Sequence, residues 1–411
     1  MRDGGSARSY RAKSPQRSSS KPMRPLNLLI LNSARKWIGE AAHTLALAEG
    51  LTQRGHRVIL GVRRGYELEA RALETNLSLL PLAFSSRFDV ISDWSDCRAL
   101  RRTIREENID LIHCHRGKDH WLAAIAMLYL GPQRPPLVRT RHVVTPSRNH
   151  MLNRWLYGHA TSGVIGVSNA ARRSLGGLAD LISPDFCRVV YSAVDTEKFS
   201  PSHRSIDLRR ELGASPEDIL VGLIGRIQRV KGQRDFIRAA AQLAQSNPRT
   251  RFLIAGRGHE GHVERLRKLA HDLGLPKDRI VFRGWLSDLP QVMASLDIGV
   301  IASVGSEGSS RIALEYMASG VAIVATRVGG IPELLEGETA AHLVAPRSPE
   351  ILAQEITRLA SDPHIRTGLG QTGRHLTVER FHINRWLDEV FSLYSAVLQH
   401  HTPSIKTDPL S

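Results

Sequence analysis

In each half of this chain, short apolar runs alternate with a turn and then an amphipathic helical stretch. Few folds accept that pattern. Strands separated by helices pair in parallel, and the helices cover both faces of the sheet, so the strands are apolar throughout. In the first half, 26–31 is a buried strand and 40–54 a helix that stops at Gly55. Further strands are expected at 57–62, 110–113, 137–140 and 163–167. The second half restarts with a strand at 219–224, a helix at 234–244, a strand at 251–255 and a helix at 262–273. It continues with strands at 280–282, 298–302 and 321–325 and a helix at 349–360. The segment 191–205 has strand character followed by polar turn residues and joins the halves. The expected fold class is α/β: two Rossmann-like domains with parallel sheets.

Length agrees, since 411 residues exceed one ordinary domain and a hydrophobic content of 42% fills two cores. Cys97, Cys114 and Cys187 are odd in number and widely spaced, without a CxxC pair. That speaks against a disulfide framework or a zinc site and suits a reducing cytosol. No apolar run approaches the ~20 residues that cross a bilayer.

The formal charge of +16 needs a cause. Residues 1–25, rich in Ser, Arg and Pro, carry seven cations against Asp3 and are expected to be a disordered basic tail. No apolar segment follows those charges, so they do not form a secretion signal. Met23 directly precedes the first strand and is an alternative start. The rest of the chain still carries +10, which implies an anionic partner: nucleic acid, phospholipid or a phosphorylated substrate.

Two glycine-rich stretches compete as phosphate sites. Gly256-Arg257-Gly258-His259-Glu260-Gly261 spells the dinucleotide fingerprint, but follows a later strand of its domain, and no acidic residue ends the next strand (Phe282-Arg283-Gly284-Trp285). It is expected to be a turn lining a cleft. Gly225-Arg226-Ile227-Gln228-Arg229-Val230-Lys231-Gly232 follows the first strand of the second half, at the carboxyl edge where open sheets bind ligands. Arg226 and Lys231 can both reach a diphosphate.

A second motif, Ser306-Glu307-Gly308-Ser309-Ser310-Arg311-Ile312-Ala313-Leu314-Glu315, opens a helix. Gly308, Ser309 and Ser310 stand at its positive end, a natural anion site. Glu307 and Glu315 face one cleft, and beside a diphosphate carboxylates make sense as holders of hydroxyls. No Asp-x-Asp metal motif is present, so no metal and no cofactor are expected.

Together these residues resemble glycosyltransferase family 4, the retaining enzymes of the two-domain GT-B fold. The Glu-x7-Glu pattern matches Glu307 and Glu315, and the GR…KG element matches Gly225, Arg226, Lys231 and Gly232. Val194-Asp195 with Phe199, Gly329-Gly330-Ile331-Pro332-Glu333 and Ser168 also match. The resemblance implies an acceptor domain over 26–200, a nucleotide-sugar domain over 201–380, and a helix over 381–400 returning to the first. It implies that Arg226 and Lys231 bind the donor diphosphate, Glu307 the donor sugar and Glu315 the ribose, with His142 beside the transferred sugar. Gly39 would approach the donor phosphates, although Ile38 stands where the family has a second glycine. Ser309 and Ser310 replace the usual Phe-Gly pair.

In the acceptor half, Arg98, Arg101, Arg102 and Arg105 recur at helical spacing and form one basic face, with Trp94, Cys97, Leu100 and Ile104 on another. Arg116 and Lys118 add charge near the cleft. The expected acceptor is an anionic glycan or glycolipid such as lipopolysaccharide core. The enzyme is expected to be cytoplasmic and to rest on the inner face of the cytoplasmic membrane. Nucleic acid is not an expected partner, because no recognisable binding motif accompanies the charge. Two rivals remain: a nucleotide-sugar epimerase on the same fold, and a non-catalytic basic protein that binds nucleic acid or sugar nucleotides.

Overall fold

The computed structural model describes residues 24–131, 134–284, 288–305, 307–335 and 340–401. The basic tail, apart from Arg24 and Pro25, lies outside the described residues, as do Trp285 and Ser306. Arg24 already belongs to the fold, pairing with Asp110 at 2.5 Å.

The first sheet comprises β1 (Asn27–Asn32), β2 (Arg57–Arg63), β3 (Ser78–Leu82), β4 (Leu111–Cys114), β5 (Leu137–Arg141), β6 (Gly163–Gly166) and β7 (Cys187–Val189). Its strands are all parallel, in the order β3-β2-β1-β4-β5-β6-β7. The second comprises β8 (Ile219–Ile224), β9 (Thr250–Ala255), β10 (Ile280–Arg283), β11 (Ile298–Ile301), β12 (Ala322–Thr326) and β13 (Ala341–Val344). It is also parallel, in the order β10-β9-β8-β11-β12-β13. These are two Rossmann-like α/β units.

Covering both faces of each sheet explains the unbroken apolar runs. In β1, Leu29 and Leu31 enter one core cluster, while Leu28 and Ile30 enter the cluster on the other face. In β8, Val221 and Leu223 go one way, Leu220 and Ile224 the other. Reading by apolarity found the central strands and missed β3, β7 and β13, which all lie at sheet edges. Edge strands are half-covered and tolerate proline, as at Pro81 in β3.

In each sheet the strand order reverses between the first strand and its neighbour: β1 and β4 in one, β8 and β11 in the other. The carboxyl ends at such a switch point form the ligand crevice of an open sheet. Every candidate site loop leaves from there or from β5 beside it.

The chain crosses between the two units twice. Val194 donates its backbone N–H to the Phe381 carbonyl at 3.0 Å, so the two crossings lie against each other. The helix Pro363–Arg380 packs on the second unit, and the helix Ile383–His400 returns to the first. There Trp386, Leu387, Val390, Leu393, Tyr394 and Val397 join the core cluster of Leu28, Ile30 and Leu47. The chain's last helix is therefore part of the first unit's core. Leu393 is 0% exposed, so Leu393→Ala should cost about 2–5 kcal/mol. Urea unfolding monitored by tryptophan fluorescence measures this, and a loss below about 1 kcal/mol would mean the helix is dispensable to that core.

Candidate active site

The phosphate-type loop after β8 and the loop after β11 are bonded to each other. Val304 donates its N–H to the Val230 carbonyl at 2.9 Å. Lys231 Nζ meets Glu307 Oε1 at 2.5 Å, and the Ser303 hydroxyl donates to the same oxygen at 2.5 Å. The sequence assigned Lys231 to a diphosphate and Glu307 to a sugar as independent groups. The structure pairs them, because Glu307 is nearly buried and needs a counter-charge. The Arg226 guanidinium has no hydrogen-bond partner among the described residues, which leaves its fork for a ligand. Its backbone carbonyl is held by the Gln233 side chain at 2.9 Å.

Glu315 sits in the helix Arg311–Ala318 and accepts from Arg311, one turn earlier, at 3.3 Å. Burial raises the Glu315 carboxyl above its usual range, and the Arg311 charge opposes that rise. Arg311 also faces the other unit. Its Cδ lies 3.5 Å from where a Cβ on Gly39 would stand, at the start of the helix Gly39–Gln53. Gly39 and Glu315 are thereby brought together.

The dinucleotide-like fingerprint packs beside the first loop. A Cβ at Gly256, where φ is +145°, would fall 2.0 Å from the Gly225 carbonyl oxygen. Ile227 donates its N–H to the Arg257 carbonyl at 2.9 Å. The glycine is there for close backbone approach, as a turn lining the cleft requires.

The Glu307–Gly308 segment is gripped from both units. A Cβ at Gly308 would fall 1.9 Å from the carbonyl oxygen of His142, so no other residue fits at that separation. The Ser168 hydroxyl donates to the Gly308 carbonyl at 2.8 Å. From behind, Gly330 donates its N–H to the Glu307 carbonyl at 2.9 Å. Glu333 then accepts the backbone N–H groups of Asn169 and Ala170, at 2.6 and 2.8 Å, and the Tyr191 hydroxyl at 3.1 Å. One carboxylate of the second unit thus caps a helical turn of the first.

His142, just after β5, belongs to a stack of imidazoles that the sequence did not reveal. Its Nε2 lies 3.0 Å from His115 Nδ1. The His43 ring meets it edge-on, with centroids 4.8 Å apart. Burial pushes His115 and His142 well below the usual imidazole range, so both are neutral near pH 7. His43, His115 and His142 each bring a nitrogen within 4.8 Å of the others, the size of a transition-metal site. The positive charges of Arg139 and Arg311 press on the same rings, which disfavours a dication. Arg139 is 5% exposed; its Nε and Nη1 make no hydrogen bond, and Nη1 pairs with Asp119 at 3.9 Å. Beside it burial lifts the Asp119 carboxyl to about 7. Arg311, His115, His43 and Arg139 were not singled out from sequence. The one local cue was Arg311, four residues before Glu315.

The basic residues expected on the acceptor side behave differently. Arg116 reaches Glu40 at 3.1 Å and Lys118 reaches Asp93 at 2.5 Å, so neither is a free charge. Arg98, Arg102 and Arg105 are exposed on the helix Val90–Glu106, and Arg101, half-buried, stands over the Tyr129 ring. Trp94, expected on one face with Cys97, Leu100 and Ile104, is 59% exposed while those three are buried, and it carries the Arg98 guanidinium over its ring. Its neighbours Asp93 and Asp96 are buried, and Trp94 points to the other side.

Two family models match this chain: one described as Glycosyltransferase Family 4, over residues 38–198, and one as Glycosyl transferases group 1, over 218–362. The chain belongs to glycosyltransferase family 4. It is 30% identical over 307 residues to a D-inositol 3-phosphate glycosyltransferase of Saccharomonospora viridis, covering 69% of each chain. Among solved structures, a glycosyltransferase from Rickettsia africae superposes with a TM-score of 0.80 at 20% identity, over 92% of this chain and 100% of that one. Anabaena HepE in complex with UDP and glucose gives 0.77 at 24% identity, over 90% and 100%. Both share the GT-B fold with this glycosyltransferase.

The buried imidazoles make the enzyme acid-sensitive. Burial lowers His43, His113, His115, His120 and His142, His43 to about 3. In the unfolded chain each takes a proton near about pH 6.5, so below that pH the unfolded state binds more protons. Each such group then removes up to about 1.4 kcal/mol of stability per pH unit. Asp119, protonated in the folded state below about 7, opposes this, and Glu40 and Glu315 do so at lower pH. Five imidazoles outweigh one carboxyl between about pH 6.5 and 5. The urea midpoint should fall steadily across that interval; a flat or rising midpoint would contradict the neutral imidazole stack.

Proposed function

We propose that this enzyme transfers the sugar of a nucleotide-diphosphate sugar to a hydroxyl acceptor, with retention of anomeric configuration and without a metal. The observation that supports this reading is the pairing of Lys231 with Glu307 and of Arg311 with Glu315 where Gly39 and His142 approach from the opposite unit. In the proposed reaction the diphosphate takes Lys231 from Glu307 and fills the open fork of Arg226. These cations and the start of the helix Arg311–Ala318 stabilise the negative charge that grows on the departing nucleotide, which a metal does in other enzymes. Glu307, released, holds sugar hydroxyls, and Glu315, aligned by Arg311, holds the ribose. Gly308, Ser309 and Ser310 line the sugar end. Water is kept out where Gly308 meets His142. Complexes of Anabaena HepE with UDP-glucose support a uridine nucleotide as the first donor to try.

For the acceptor we propose an anionic cell-envelope glycan or glycolipid, such as lipopolysaccharide core, met at the inner face of the cytoplasmic membrane. No helix among the described residues is long and apolar enough to cross a membrane. The support is a surface in which exposed Phe88, Val90, Ile91 and Trp94 adjoin the arginine face of the same helix. Apolar side chains beside cations suit an anionic bilayer surface.

A donor present at about 100 times its dissociation constant should stabilise the enzyme by about 2.7 kcal/mol. In a thermal-shift screen of UDP-, GDP- and ADP-sugars, one nucleotide class should raise the melting temperature. Glu315→Ala should abolish that rise, while Glu307→Ala should keep it and lose turnover. No rise with any nucleotide sugar would overturn the donor assignment.

Liposome flotation tests the membrane reading. Replacing Arg98, Arg101, Arg102 and Arg105 by Gln should weaken binding to anionic vesicles by more than about tenfold, given ~1 kcal/mol per cation near such a surface. Ile91→Ser with Trp94→Ser should weaken it further. Unchanged binding in both variants would refute membrane docking through this helix.

A further inference from the structure

The first unit has an open cavity of about 620 Å³ at the carboxyl edge of its sheet. It lies between the loop after β1, which supplies Arg35, and the loop after β3, which supplies Ser85, Ser86, Arg87, Phe88 and Asp89. β2 runs between those strands and ends at Arg63.

Both loops are pinned to the fold. In the first, Ser33 donates its backbone N–H to Asp119 at 3.0 Å, and Trp37 donates to Glu67 at 2.8 Å. In the second, Asp96 accepts the N–H groups of Ala83 and Phe84 at 2.9 and 2.8 Å. Phe84 is buried in the core at a φ of +42°, which a residue with a side chain keeps only where its surroundings impose it. Arg63, 4% exposed, donates to the Phe84 carbonyl and, at 3.2 Å, to the Ser86 hydroxyl oxygen. The Ser85 hydroxyl and the Lys118 ammonium donate to the Arg87 carbonyl at 2.6 and 3.4 Å.

What these bonds leave free is positive. The guanidiniums of Arg35 and Arg87 make no hydrogen bond or ion pair with any described residue, and Arg63 bonds carbonyl and hydroxyl oxygens but pairs with no described carboxylate. Arg116 and Lys118, by contrast, are paired. The acid among the lining residues, Asp89, is engaged with its own helix, accepting the Ser92 N–H at 3.2 Å and the Ser92 hydroxyl at 2.9 Å. Two planar guanidinium forks on fixed loops, with a serine hydroxyl beside them, form the donor set that suits a phosphoryl group. The donor's diphosphate does not account for them, since its proposed cations, Arg226 and Lys231, stand in the second unit. Arg35 precedes Gly39 by four residues, a span of at most about 14 Å, and the Arg311 stem meets Gly39 from across the cleft.

We propose that this cavity holds a phosphoryl group of the acceptor, bound by Arg35 and Arg87 with the Ser86 hydroxyl, and that the enzyme thereby selects a phosphorylated acceptor over its unphosphorylated form. That the phosphoryl group belongs to the acceptor rests on the transferase reading above; phosphate binding by the cavity stands without it. A water-soluble sugar phosphate and a lipid phosphate whose tail leaves over the exposed Phe88 offer the same chemistry.

Arg226→Gln, which removes the donor-side fork, is the background for the test, so that inorganic phosphate reports on the cavity. Binding of the full-length chain is measured by calorimetry with inorganic phosphate and, separately, by flotation with phosphatidate-containing vesicles. Adding Arg35→Gln and Arg87→Gln, which removes no contact within the fold, should weaken phosphate binding at least about tenfold, as expected for two lost charge-assisted contacts. Loss of phosphate binding alone assigns a water-soluble acceptor, and loss in both measurements a lipid-borne one. Unchanged phosphate binding overturns the inference, whether or not vesicle binding falls. With Arg226 intact, the Arg35 and Arg87 variant should keep the donor-induced rise in melting temperature. If it loses a rise that the wild type shows, the arginines serve the donor and the acceptor site is refuted. If the wild type shows none, the donor assignment fails, and the phosphate titration still decides the cavity.

Discussion

The constraint on which the structure depends is the contact between the Gly308 Cα and the His142 carbonyl, too close to admit a side chain. It joins two sheets that share no strand. Around it stand the Ser168 hydroxyl on one side and the Gly330 N–H on the other, both holding main-chain oxygens of the same dipeptide. Glu307 leaves from that dipeptide and His142 from its opposing loop. The two groups therefore keep their separation only while the units stay apposed. Glu333, capping a turn of the other unit with its carboxylate, holds them apposed at a second point.

Several cations beside the cleft are paired before a ligand arrives. Lys231 is neutralised by Glu307, Arg311 by Glu315, Arg116 by Glu40 and Lys118 by Asp93. Breaking a nearly buried pair without replacing its partner is costly. A diphosphate that takes Lys231 supplies the replacement, and sugar hydroxyls solvate the freed carboxylate. On the proposed binding mode a ligand bearing both parts is favoured, because phosphate alone leaves Glu307 unpaired and sugar alone leaves Lys231 occupied.

Sequence alone made the architecture legible because buried parallel strands write themselves as continuous apolar runs. It failed at the sheet edges, at β3, β7 and β13, and at Trp94, which is exposed although Cys97, Leu100 and Ile104 are buried. The phosphate-type loop and the two glutamates could be read because each motif is local: Gly225 to Gly232 in one turn, Glu307 to Glu315 across two. The imidazole stack could not. His43, His113, His115 and His142 are spread over 100 positions and meet only because β4 and β5 are neighbours and the helix after β1 begins beside them. Nor could sequence show that Arg116 and Lys118 are already paired, since their partners lie on other elements.

The C-terminal helix gives the stack its rigidity. Tyr394 reaches the buried His113 and Trp386 backs His43, although both are far along the chain from the cleft. Neutral imidazoles in an apolar setting attract one another weakly and would otherwise turn freely about their bonds. Rings that are packed on each side and bonded at one nitrogen keep a single orientation. A helix that begins at the crossing between the units and ends in the first core therefore does two things at once. It completes that core, and it holds His113 and His43 in place. Two of the six side chains that complete the core, Trp386 and Tyr394, also touch the histidine cluster, so substitutions that loosen either act on both.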